Sequence, residues 1–66
     1  MNNSVGDLVY IPSDTSLMRL KEGTPSKVIR LEKPKYLLVC EEKDSKLGVD
    51  FQGDVWYVEK RQVYNV

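Results

Sequence analysis

Leu47-Gly48-Val49-Asp50-Phe51, the turn Gln52-Gly53-Asp54 and Val55-Trp56-Tyr57-Val58 read as two short strands joined by a tight turn. In the first strand Leu47, Val49 and Phe51 share one side, with Gly48 and Asp50 on the other, the period-2 pattern of a strand with one buried face. The turn admits two readings. A two-residue Gln52-Gly53 loop pairs Phe51 with Asp54 and Val49 with Trp56, so Trp56 and Val58 join the core and Tyr57 faces out. A three-residue loop with a bulge at Gly53 pairs Phe51 with Val55 and exchanges the roles of Trp56 and Tyr57. The first is preferred, because Trp56 and Val58 continue the large apolar set. Glu59-Lys60-Arg61-Gln62 is a short helical-turn candidate, and Val63-Tyr64 closes the chain.

Upstream, Leu8-Val9-Tyr10-Ile11 is a β-rich run stopped by Pro12-Ser13-Asp14. Thr15 to Lys21 is too short for an independent helix and reads as a long first loop or an irregular strand. Glu22-Gly23-Thr24-Pro25-Ser26 is a turn, Lys27 to Glu32 a strand, and Lys33-Pro34 its break. Lys35 to Glu42 is the most apolar strand, ending at the polar tip Lys43-Asp44-Ser45-Lys46. The fold class is therefore all-β: five to six short antiparallel strands closing into a small barrel, with a long first loop and a 3-10 turn before the last strand. Residues 1–66 make one domain, with residues 1–4 expected as a disordered tail.

The 66 residues carry ten basic and ten acidic side chains, a formal net charge of zero. That balance argues against dependence on long-range attraction to phosphate. Residues 1–35 hold six basic and four acidic groups and residues 36–66 the reverse, too small an asymmetry to select a partner. Histidine is absent and Cys40 is the only cysteine, which excludes a disulfide within the chain, a Cys-His nucleophile pair and the usual zinc ligand sets. Cys40 is expected as a small core residue, in keeping with a reducing, cytoplasmic home. No apolar run approaches the ~18 residues of a membrane span, and Met1-Asn2-Asn3-Ser4 lacks the basic start of a signal peptide. The chain is expected to be soluble and unprocessed.

No constellation suggests catalysis. Glu41 and Glu42 are neighbours on a strand and point to opposite faces, so with Asp44 they read as a solvated tip. Asp50 and Asp54 flank a turn without calcium-loop spacing, and no phosphate-binding glycine loop is present. The expectation is a non-enzyme with no metal and no cofactor, acting by binding a macromolecule. A protein partner would meet an amphipathic patch of Tyr10, Met18, Leu20, Tyr57 and Tyr64, residue types found in interface cores. The alternative is RNA or DNA on a basic strand face of Arg19, Lys21, Lys27, Arg30, Lys33 and Lys35. Oligomeric state is not encoded in any of these features.

Val5-Gly6-Asp7-Leu8-Val9-Tyr10 at the start, with Val55-Trp56-Tyr57-Val58, the helical turn and Val63-Tyr64 at the end, resemble the opening and closing strands of SH3-like barrels of the Tudor and KOW type. The likeness covers the order of elements over nearly the whole chain, on short motifs. It implies a small barrel and places Tyr10 and Tyr64 near the tyrosines of peptide-binding SH3 domains. The paired tryptophan and acidic loop that grip proline-rich ligands have no match here, and the four-aromatic cage of Tudor domains cannot be assembled from the sequence. In size and lone-domain organisation the chain is also similar to small accessory barrels of tailed bacteriophages. That likeness implies a host protein as partner and the host cytoplasm as location.

Overall fold

The computed structural model describes residues 5–66; the expected tail at residues 1–4 lies outside the described residues. Seven strands form one antiparallel sheet: β1 (Leu8–Ile11), β2 (Ser16–Lys21), β3 (Thr24–Arg30), β4 (Lys35–Lys43), β5 (Lys46–Phe51), β6 (Asp54–Glu59) and β7 (Tyr64–Asn65). A 3-10 turn at Lys60–Gln62 precedes β7, where the sequence places a helical turn. The hydrogen-bonded order is β3-β2-β6-β5-β4-β1-β7.

All-β architecture is thus as read from the sequence, with two corrections. There are seven strands rather than five or six, and the sheet is open, since no ladder joins β3 to β7 among the described residues. The extra strand is β2, where the sequence reads a long first loop or an irregular strand; it pairs with β3, which begins at Thr24 inside the expected turn and ends at Arg30 rather than Glu32. Their turn residues Glu22 and Gly23 both have positive φ (53° and 79°), the backbone of a two-residue hairpin turn whose twist matches the flanking strands. Pro25 argues against a central strand but not against β3, which is an edge. The Gln52-Gly53 turn repeats the device (φ 54° and 82°) and pairs Phe51 with Asp54, Val49 with Trp56 and Leu47 with Val58. The two-residue reading holds, so Trp56 is buried and Tyr57 lies on the other face.

Alternation then sorts the sheet. Val9 and Ile11 of β1, Leu17 of β2, Val39 of β4, Leu47 and Val49 of β5, and Trp56 and Val58 of β6 are buried together with Leu31 and Val63. Ile29, Leu37 and Phe51 pack against this cluster. Seven strands laid flat at about 4.8 Å spacing would make a slab roughly 29 Å wide and about 10 Å thick. The molecule measures 29 × 25 × 22 Å, so the sheet curls round its own apolar face. Additional backbone bonds hold the ends of strands: Leu31 N–H donates to Thr15 O and Asp14 N–H to Leu31 O, while Gly6 N–H donates to Val39 O.

One irregularity shapes the outer face. Along β4 the pairing steps from Val39↔Val49 to Glu41↔Gly48, leaving Cys40 as the extra residue of a bulge. Cys40 follows the inward Val39 and is exposed rather than part of the core, and the bulge leaves Glu41 on the outer side as well. Gly48 is buried without a side chain of its own; a Cβ there would lie 3.0 Å from Glu41 Cβ and 3.2 Å from both Tyr57 Cε1 and Val55 Cγ1. The glycine gives the room in which Glu41, Tyr57 and Val55 close over β5.

Two substitutions probe the two faces. Leu47→Ala should cost about 2–5 kcal/mol by opening a cavity in the core, against a total of roughly 3–10 kcal/mol for a chain of this length. Gly48→Ala should cost about 1–3 kcal/mol by overpacking the outer face. Chemical denaturation followed by Trp56 emission, expected blue in the native state, checks both; equal stability of G48A and the unmodified protein contradicts the close approach.

Candidate binding surface

Residues opposite one another in an antiparallel sheet share a face, so the register defines three rows across the outer side. The first is Tyr64–Tyr10–Tyr36, spanning β7, β1 and β4. The second is Leu8–Leu38–Asp50–Val55, across β1, β4, β5 and β6. The third is Glu41–Gly48–Tyr57–Met18–Val28, from β4 to β3.

In the first row the Tyr10 and Tyr36 rings meet edge to face, with centroids 5.3 Å apart and planes at 61°. Tyr10 and Tyr64 lie 6.3 Å apart at 48°. Such pairs are worth about 0.5–1.5 kcal/mol beyond their burial, and they hold the rings as a set. Tyr36 and Tyr64 remain 63% and 62% exposed, and the next row adds Leu8 and Leu38, at 48% and 44%. The three tyrosines, Asn65 and Val66 line one shallow concavity. This is a contiguous aromatic and aliphatic area on strands, facing away from the core.

The expected patch of Tyr10, Met18, Leu20, Tyr57 and Tyr64 is therefore divided. Tyr10 and Tyr64 come together. Met18 sits opposite Tyr57 on the β2–β6 side, and Leu20 lines a separate hollow with Gly23 and residues 43–46 of the β4–β5 turn. Tyr57 is already engaged: its phenol donates to the Glu41 carboxylate, and Lys43 Nζ lies 5.3 Å from the ring centroid. The hydrogen bond to Glu41, then desolvation, push the Tyr57 phenol up to about 12. Tyr36, Leu8 and Leu38 complete the surface instead. Alternation within Lys35 to Glu42 carries the signal for two of them, since Leu37 and Val39 inside require Tyr36 and Leu38 outside.

The six basic residues also separate. Arg19, Lys21 and Lys27 line one groove with Leu20 and Ser26 on the β2–β3 hairpin. Arg19 pairs with Asp54 at 3.4 Å and lies 5.5 Å from the Trp56 ring centroid. Arg30 is bound by Asp14 at 2.9 Å, and Lys35 sits 5.8 Å from the Phe51 ring centroid. Lys33 is exposed between β3 and β4.

Other titratable groups are tied into local structure. Glu42 pairs with Lys60 at 2.8 Å and Lys46 with Glu59 at 3.3 Å, so Glu41 and Glu42 serve different partners. Asp50 and Asp54 are not brought together: Asp50 stands opposite Val55, and Asp54 meets Arg19. No cluster of three metal-ligating residues occurs among the described residues. Partial burial, then the charge of Asp50, raises the Cys40 thiol, whose Sγ lies 3.5 Å from Gly48 O. A raised thiol holds less thiolate, the reactive form. No helix among the described residues is long and apolar enough to cross a membrane. Comparison with protein-family models, curated proteins and solved structures finds no match.

The Tyr57–Glu41 bond has a pH signature. Because the folded-state value lies above the ordinary 10.0, the stabilisation is complete below pH 10 and is lost as pH rises through about 12. Ultraviolet titration should show one tyrosine ionising near 12, and Glu41→Gln should move it back towards 10. An unchanged titration in E41Q contradicts the bond.

Proposed function

We propose that this chain is a non-enzymatic binding module of SH3-like barrel type that works by protein–protein contact through Leu8, Tyr10, Tyr36, Leu38 and Tyr64. The observation that carries the reading is the exposed Tyr64–Tyr10–Tyr36 row with Leu8 and Leu38 beside it. Tyrosine supplies large amphipathic contact area with few rotamers to freeze, and such anchors dominate interface energetics. Here they are pre-ordered by one another, which lowers the entropic cost of docking. The SH3-like reading is supported by the curled sheet and the 3-10 turn before β7. The likeness to phage accessory barrels makes a host protein, met in the host cytoplasm, the partner class.

Affinity capture from the source or host lysate, with and without nuclease, tests this reading when run beside the double variant Tyr36→Ser/Tyr64→Ser. A protein retained by the unmodified chain in both conditions, and bound about 30-fold more weakly by the variant, is the expected result, since two interface tyrosines are worth about 2 kcal/mol together. Retention abolished by nuclease assigns the working surface to the basic groove and defeats the proposal.

A further inference from the structure

The β2–β3 hairpin presents a second surface, at the opposite end of the strand order from the tyrosines. Among the described residues β3 pairs only with β2, so there the other side of Thr24–Arg30 offers unpaired backbone donors and acceptors. Such an edge is a template for another strand unless it is blocked. Pro25 blocks one end by removing a donor, which leaves residues 26–30.

Charge singles out what would dock there. β2 and β3 contain Arg19, Lys21, Lys27 and Arg30 and no acidic residue. Arg19 and Lys27 are direct cross-strand partners, an arrangement that is unfavourable between like charges. Asp54 and Asp14, from outside the hairpin, answer Arg19 and Arg30. Lys21 and Lys27 meet no carboxylate among the described residues, and with Arg19 they line one groove. On the outer face Val28 is 59% exposed beside Met18, so that apolar row ends at an exposed side chain.

We propose that the free edge of β3 accepts an extended acidic peptide segment as an added strand, with carboxylates facing Lys27 and Lys21 and apolar side chains continuing the Val28 row. Backbone bonds supply affinity and alternate side chains supply selectivity, the usual division in strand addition. The inference stands apart from the tyrosine face and does not depend on it.

The test uses the whole protein, labelled with nitrogen-15, and a blocked alternating Val-Glu hexapeptide. Comparison probes are its Val-Gln counterpart, two versions N-methylated on alternate residues, and a single-stranded oligothymidylate. The expected result is shifted resonances and slowed amide exchange confined to β3 and the facing part of β2. Binding should weaken about fivefold with the Val-Gln peptide and again with Lys27→Glu, the scale of a few exposed ion pairs. One N-methylated version should fail, because it lacks the donors for the edge. The Tyr36→Ser/Tyr64→Ser protein should bind the peptide unchanged. No binding at millimolar peptide, equal binding of both N-methylated versions, equal binding of the Val-Gln peptide, or shifts centred on Tyr10 and Tyr36 overturns the proposal. Oligothymidylate binding at Lys21 and Lys27 more tightly than the peptide also overturns it and assigns the groove to phosphate.

Discussion

The structure depends on one constraint: a single sheet must cover its own apolar face. With no second layer available, the side chains that alternate inward from β1, β2, β4, β5 and β6 can leave water only by meeting one another. The sheet therefore curls, and its curvature brings Val9 and Ile11 from one end into the same cluster as Leu17 and Trp56 from the other. Every register in the sheet inherits this demand. A slip of one residue at Gln52-Gly53 would expose Trp56 and Val58 and turn Tyr57 inward, away from its hydrogen-bonded Glu41.

The same constraint explains why the proposed binding surface is made of aromatic side chains on strands. In so small a domain the inner face is taken up by the core cluster. What remains is the outer face, where cross-strand neighbours are fixed by the ladder as firmly as core residues are. Tyr64, Tyr10 and Tyr36 are held in a row by pairing across β7, β1 and β4. The Cys40 bulge and the bare Gly48 serve the other half of that face, where Tyr57 and Glu41 fold down over β5. One half of the outer face is thus closed by its own side chains and the other is left open.

Much of this was legible in the sequence because period-2 alternation is a direct physical signal. Leu47, Val49, Trp56 and Val58 announce their side, and the Gln52-Gly53 turn sets the register that keeps them there. The β2–β3 hairpin was harder, since its turn is only Glu22-Gly23 and Pro25 sits inside the following strand, tolerable solely at an edge. Cys40 was misplaced because it ends an apolar run, although alternation from the inward Leu37 and Val39 sets it outside; the bulge changes the side of Glu41, without any mark in composition. The candidate surface was half legible. Tyr10 and Tyr64 were singled out, but Met18 and Tyr57 belong to another row, and Tyr36 was passed over although alternation with Leu37 and Val39 marks it as outward. Which outer residues are neighbours is a property of strand order, and strand order is not local in the sequence.

Solvent paramagnetic relaxation measured by NMR, with a neutral gadolinium chelate and the unmodified protein, tests the central claim most directly. The account predicts strong relaxation of the Tyr36 and Tyr64 ring protons together with protection of the Trp56 indole, Val49 and Val58. Protected tyrosine rings in the free protein, or an exposed Trp56 indole, would contradict it, the first by showing that the aromatic row is already covered and the second by showing that the register is wrong.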